Sequence, residues 1–263
     1  MAEGQWSPGR EETDANEFRP VLDIVEPARQ RRLTVLLRLL LLVPHFIVLF
    51  FLHIAAFFTV IVGWFAALVL GRLPDPVFRF LTGVLGYDMR VSASDMLLID
   101  RYPPFALTPP ADYPVQIEVR ATPLNRLAVL FRVFLMIPAA IVQSLAVYGW
   151  WALAFVWWLI TLCLGRMPRP LFEATAATLR YRMRFSAYVM MLTPAYPKGL
   201  FGDDDLAAVA PERSRSATRP LVLSSAAKWL VVLFLVLGLA GHIASSVTAS
   251  TTDDTYDTRL VGF

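Results

Sequence analysis

Two stretches of this chain, residues 33–70 and 127–164, each contain a single charged side chain, Arg38 in the first and Arg132 in the second. No other feature restricts the fold as strongly. A charge-free apolar run of this length offers water no polar face, so it belongs in a bilayer. Composition agrees: 57% hydrophobic and 17% charged residues leave too little polar surface for a soluble domain of 263 residues. A third apolar run, residues 229–247, has the length of one crossing, since a spanning helix needs about 20 residues. The first two are too long for that. As one helix each would extend about 57 Å at ~1.5 Å per residue, against a hydrocarbon core of ~30 Å. Each is therefore predicted to be a hairpin of two short helices, with tips near residues 53–56 and 147–151.

Charge bias assigns the sides. With paired helices, the N-terminus and the segments 71–126 and 165–228 face one way. Apart from Arg38, Arg132 and Arg259, they hold every Lys and Arg. The positive-inside rule then predicts a plasma-membrane protein with a cytoplasmic N-terminus and both long loops cytoplasmic. The C-terminal tail, carrying Asp253, Asp254 and Asp257, is extracytoplasmic. Arg38 and Arg132, one or two turns inside their helices, are expected to snorkel back to the cytoplasmic side. Hairpins that dip in without crossing would give the same sidedness. Residues 1–17 read as a polar disordered tail and lack the apolar core of a signal peptide. Cys163 is the only cysteine, so no intrachain disulfide exists, and its apolar setting reads as packing.

The chain repeats itself. Shifted by 94 positions without a gap, Pro20 falls on Pro114, Arg38 on Arg132 and Pro44 on Pro138. Trp64 falls on Trp158, and Gly71, Arg72, Pro74 and Pro76 on Gly165, Arg166, Pro168 and Pro170. Tyr87, Met89 and Arg90 fall on Tyr181, Met183 and Arg184, and Tyr102-Pro103 on Tyr196-Pro197. Apolar composition alone would align Leu with Leu, but not Pro, Arg and Gly in constant register, so the chain is a tandem duplication. With an even number of crossings per copy, the copies are expected to be related by a pseudo-twofold axis along the membrane normal.

Each copy opens with alternating apolar and polar residues, 21–25 and 115–119, which suggests a short cytoplasmic strand. Its first membrane helix carries a central proline, Pro44 or Pro138, which removes one helix hydrogen bond and predicts a kink. The Gly-Arg-x-Pro phrase at 71–74 and 165–168 reads as a corner: glycine ends the helix, arginine meets lipid phosphates and proline blocks continuation. Beyond the corner, the apolar stripe Val77, Leu81, Val84 and Leu85 in copy one and the interleaved residues 180–185 in copy two are predicted to lie on amphipathic helices in the membrane interface. The interleaved Arg180, Arg182 and Arg184 would also suit a short strand.

These elements predict an all-α integral membrane protein with about five membrane helices. Repeat one covers residues 18–105 and repeat two 112–200, each a transmembrane hairpin with an interfacial helix and a short strand. A cytoplasmic linker follows at 201–226, then one transmembrane helix at 227–248 and a tail at 249–263. The segments LNRLAVLFRVFLMIP (124–138), GRLPDPVFRFLTGVL (71–85), RVSASDMLLIDRYPPF (90–105) and RFSAYVMMLTPAYP (184–197) resemble a family of tandem membrane domains found in actinobacteria, domain of unknown function 4389. The resemblance covers roughly residues 18–200. Copy two departs at its end, where Ala195 and Lys198 replace Arg101 and Pro104. The resemblance implies actinobacterial origin and the tandem architecture, and it brings no activity.

No phosphate-binding glycine loop, paired-cysteine motif, HExxH or nucleophile elbow is present, and no carboxylate lies inside the first two apolar runs. The expectation is a protein without catalytic residues, metal or cofactor. His45, His53 and His242 are read as hydrogen-bonding between helices. Anionic phospholipid is the expected ligand, in preference to nucleic acid, with Arg38, Arg72, Arg132, Arg166 and Arg184 as candidate headgroup contacts. Two functions follow: a non-enzymatic scaffold or accessory subunit of a larger envelope or respiratory complex, or a lipid-handling protein with its headgroup site between the repeats.

Overall fold

The computed structural model describes residues 18–26, 29–203 and 218–260, the last with side chains as far as residue 246. The expected N-terminal tail, most of the linker and the acidic side chains of the C-terminal tail lie outside the described residues.

The first apolar run does not turn back on itself. It is one helix, α1 (Arg32–Leu70), of 39 residues. Its buried positions are Val35, Arg38, Leu42, His45, Leu49, Ala56, Gly63 and Ala67. These fall three, four or seven apart and trace one inward stripe along a single rod. A turn at 53–56 would have broken that stripe. It would also have opened backbone groups in mid-run with no water to receive them. Pro44 sits inside α1 without ending it.

The second run behaves similarly. It forms α3 (Arg126–Leu130), α4 (Arg132–Ala152) and α5 (Ala154–Leu164), separated by the single residues Phe131 and Leu153. Both junctions sit in the bridge region next to the helical one, at φ −88°, ψ 5° and φ −109°, ψ 8°. The Leu153 amide still donates to Trp150 O at 3.2 Å, and the Trp157 amide to Leu153 O at 3.0 Å. One such residue cannot reverse a helix. Pro138 lies inside α4, which also continues past it. Both expected mid-run hairpins are therefore wrong. Among the described residues, three helices are apolar and long enough to cross a membrane: α1, α4 and the Ser225–Ser246 part of α7 (Ser225–Leu260).

The reversal occurs at the corner phrase instead. Gly71 and Gly165 cap the long runs in the left-handed region, at φ 71° and 65°, where a side chain would be strained. After Pro74 and Pro168 the chain returns as α2 (Asp75–Asp95) and α6 (Arg169–Val189). The end of α2 comes back to the start of α1, where Gln30 Nε2 donates to Leu97 O at 2.5 Å. Each copy is thus a helical hairpin with its turn at the glycine.

The returning helices are not interfacial. Residues 84–94 of α2 and 171–181 of α6 are buried on every face. A helix covered all round is a core element, and α2 and α6 pack against each other at the centre of the molecule. The Arg180–Arg184 stretch is helix, not strand.

The two expected strands form. β1 (Val21–Ile24) pairs antiparallel with β2 (Val115–Glu118), Val21 opposite Glu118 and Ile24 opposite Val115. The long runs are antiparallel too, and their contacts come in pairs displaced by 94 residues. Trp64 Nε1 donates to Val129 O at 3.0 Å, and Trp158 Nε1 to Val35 O at 2.9 Å. The Gln30 amide donates to Gly165 O at 2.9 Å, and the Leu124 amide to Gly71 O at 2.8 Å. Each copy therefore begins beside the other's corner, about a pseudo-twofold axis. The β-ribbon maps onto itself, so it lies on that axis, midway between the corners, against α2 and α6. α7 has no counterpart in the repeat. It runs antiparallel to α4 in very close approach: a Cβ on Gly149 would lie 1.7 Å from Phe234 O, and one on Gly238 2.1 Å from Leu145 O.

Candidate functional site

The axis passes through a complementary pair. Asp88 and Arg182 occupy the same position in the two copies, acid in one and base in the other. The antiparallel α2–α6 packing brings them together: Arg182 Nη2 lies 3.1 Å from both carboxylate oxygens of Asp88, and its Nη1 donates to Ser92 Oγ at 3.1 Å.

The five candidate arginines do not converge. Arg38 does not snorkel; only 3% of it is exposed. Its Nη1 donates to Ser94 O and Ile99 O, both at 2.8 Å, and its Nη2 to Gln30 Oε1 at 3.1 Å and Asp100 Oδ1 at 3.4 Å. The reason is local: the carbonyls freed where α2 ends need donors, and a cation there also meets the negative end of the helix dipole. Arg132, equally buried, donates from Nη2 to Thr193 O at 2.9 Å and lies 4.1 Å over the Tyr188 ring. Arg184 is held inside by Pro20 O, Lys198 O and Asp203, and Arg180 binds the same carboxylate. Arg72 and Arg166 are exposed, but their corners lie at opposite ends of α1.

His45 bridges helices as expected: its Nδ1 is 2.6 Å from Tyr87 Oη, and its ring stacks on Phe105 at 4.0 Å. Exposed His53 is not beside it, and His242 packs edge-on to Tyr148. No three metal-ligating side chains come together among the described residues.

Sequence reasoning missed a different constellation. A half-open cleft of about 360 Å³ lies between the first turns of α1 and the α4–α5 junction. Trp150, Trp151, Phe155 and Trp158 wall it, and Arg38 and Asp95 supply its polar end. Burial pushes the Asp95 carboxyl up to about 6, while the charges of Arg182 and Arg38 pull it the other way. Asp95 Oδ1 and Arg38 Nε are both buried without a hydrogen-bond partner. Copy two has no such site: Asp95 corresponds to Val189, and Trp150 and Trp151 to Ala56 and Phe57. Those exchanges, read across the repeat, were the available signal.

The family model for a domain of unknown function, DUF4389, matches residues 32–106 and again 126–200. The chain belongs to the DUF4389 family. The two matched segments are displaced by 94 positions, the same shift that superimposes the Trp–carbonyl contacts of this DUF4389 protein. No curated protein and no solved structure matches the chain.

Proposed function

We propose that this DUF4389 protein is a non-enzymatic membrane scaffold, an accessory subunit that offers an apolar flank to a larger membrane assembly. One observation carries this reading: the two copies are unequally covered. α7 packs on α4 at Leu145, Tyr148, Gly149 and Ala152. The equivalent positions of copy one, Phe51, Ile54, Ala55 and Phe58, are all exposed. A partner's apolar helix on this flank would repeat the α4–α7 contact. The buried arginines meanwhile hold the unit rigid, as a scaffold requires.

The axis supports one placement in the membrane. If α1 stood across the bilayer, the β-ribbon, midway between its ends, would lie at the midplane. Exposed Glu26 and Arg120 flank that ribbon, and charge at that depth is very costly. Both corners and the ribbon therefore share one face, cytoplasmic by the Lys and Arg bias, and the long runs turn their exposed apolar sides to the hydrocarbon. α7 starts beside the second corner, where the Ser224 amide donates to Glu173 Oε2, and continues to the far side.

The test is isolation from native membranes in mild detergent. The account expects a larger assembly that dissociates in an Ala55→Trp variant with an unchanged melting temperature. A chain that migrates alone, with the variant no different, would contradict it. The lipid-handling reading stands second, favoured by the apolar cleft.

A further inference from the structure

The geometry points to a binding site for an uncharged, hydroxyl-bearing lipid in the cleft between α1 and the α4–α5 junction. This rests on the lipid-handling reading and narrows its ligand from an anionic headgroup to a neutral one.

At the polar end of the cleft, which Arg38 and Asp95 line, one acceptor, Asp95 Oδ1, and one donor, Arg38 Nε, are shielded from water and unbonded. The other nitrogens of Arg38 are committed to Ser94, Ile99, Gln30 and Asp100, so the guanidinium is fixed in place. A hydroxyl seated at that end would satisfy both groups, accepting from Nε–H and donating to Oδ1. Charged heads do not. A phosphodiester or a fatty carboxylate has acceptors only and sets its charge against Asp95. An ammonium has donors only and sets its charge against Arg38.

The walls suit an acyl or prenyl chain. The Trp150 indole N–H is spent on Thr175 Oγ1 at 2.9 Å and that of Trp158 on Val35 O, so both rings stand as apolar surface. Phe155 and Leu39, 72% and 61% exposed, mark a mouth that opens sideways among other exposed apolar residues. Entry is therefore from the hydrocarbon. Because copy two carries Val189, Ala56 and Phe57 at the matching positions, the chain holds one such site, not two.

The experiment uses the full chain in phosphatidylcholine nanodiscs doped with dioleoylglycerol, oleyl alcohol or dioleoylphosphatidylmethanol, an anionic lipid whose head carries no hydroxyl, with bound lipid counted by native mass spectrometry. The expected result is one dioleoylglycerol or oleyl alcohol per chain, not displaced by phosphatidylmethanol. The tighter of the two identifies the head as glycerol or simple alcohol. Asp95→Val, which installs the residue of copy two, should weaken binding about tenfold, and Asp95→Asn, which keeps an acceptor, by less than about threefold. Trp151→Ala, at the half-exposed wall, decides the matter if Asp95→Val does not fold, and it too should weaken binding. Wild-type affinity in a folded Asp95→Val or in Trp151→Ala overturns the site. Preference for phosphatidylmethanol overturns the hydroxyl assignment alone, whereas absence of any saturable lipid overturns the lipid-handling reading with it.

Discussion

Copy one and copy two share a backbone plan and differ in what surrounds it. In copy one, Arg38 is encircled by polar partners, Gln30, Asp100 and the carbonyls at the end of α2. The equivalent neighbours of Arg132 are Leu124 and Pro194, and that guanidinium makes do with one carbonyl and an aromatic face. Copy two instead carries α7 on its flank and the Asp203 clamp on Arg180 and Arg184. The duplication set the geometry, and the copies then diverged: copy one keeps a bare flank and shares an open cleft with the α4–α5 junction, and copy two has its flank covered by α7. One asymmetry was built into the axis itself, since like charges at position 88 and its image 182 would face each other there.

The largest test of this contrast is at the α4–α7 contact. Gly149→Val should cost about 3 kcal/mol or more, because no side chain fits between the two backbones. Ala55→Val, the same position in copy one, should cost about 0.5 kcal/mol or less, because its side is open. Thermal unfolding in detergent reads both. Next, Arg38→Met strands four acceptors and should cost about 2–3 kcal/mol, whereas Arg132→Met strands one and should cost about 1 kcal/mol. Equal losses would erase the claimed difference between the copies.

A charge exchange sharpens the axis. Asp88→Arg alone should cost about 2 kcal/mol by facing Arg182 with a like charge, and adding Arg182→Asp should restore most of it. A double variant no better than the single one would argue against the pairing. The smallest effect is a pH dependence. The folded Asp95 carboxyl titrates at about 6, above its ordinary value of 3.8, so the folded state binds that proton more tightly than the unfolded one. Its contribution is fully present below about pH 4 and is lost as pH rises through 6. Asp95→Asn should therefore melt higher than wild type at pH 7.5, with the gain vanishing near pH 4.

Much of this architecture was legible in the sequence. Pro, Arg and Gly in a register of 94 gave the duplication, the alternating residues at 21–25 and 115–119 gave the ribbon, and Gly71 and Gly165 gave the corner. The site of reversal was not legible, because lipid-facing and core-facing positions of α1 are both apolar and composition cannot separate them. The stripe of Arg38, His45, Ala56, Gly63 and Ala67, running unbroken through residues 53–56, held the information. Burial of α2 and α6 was obscured by their charges, which read as a solvated face until Asp88–Arg182 and the Arg184–Asp203 clamp paired them. The cleft lay in the exceptions to the repeat, Asp95 against Val189 and Trp150 against Ala56, rather than in any motif.

The central claim is that the pseudo-twofold axis stands perpendicular to the membrane, so both corners and the ribbon face one compartment. Single cysteines at Arg72, Arg166 and Glu118, in a Cys163→Ser background, report this directly through an impermeant maleimide in sealed vesicles of known orientation. The account predicts that all three label from the same side. Arg72 and Arg166 labelling from opposite sides would contradict it.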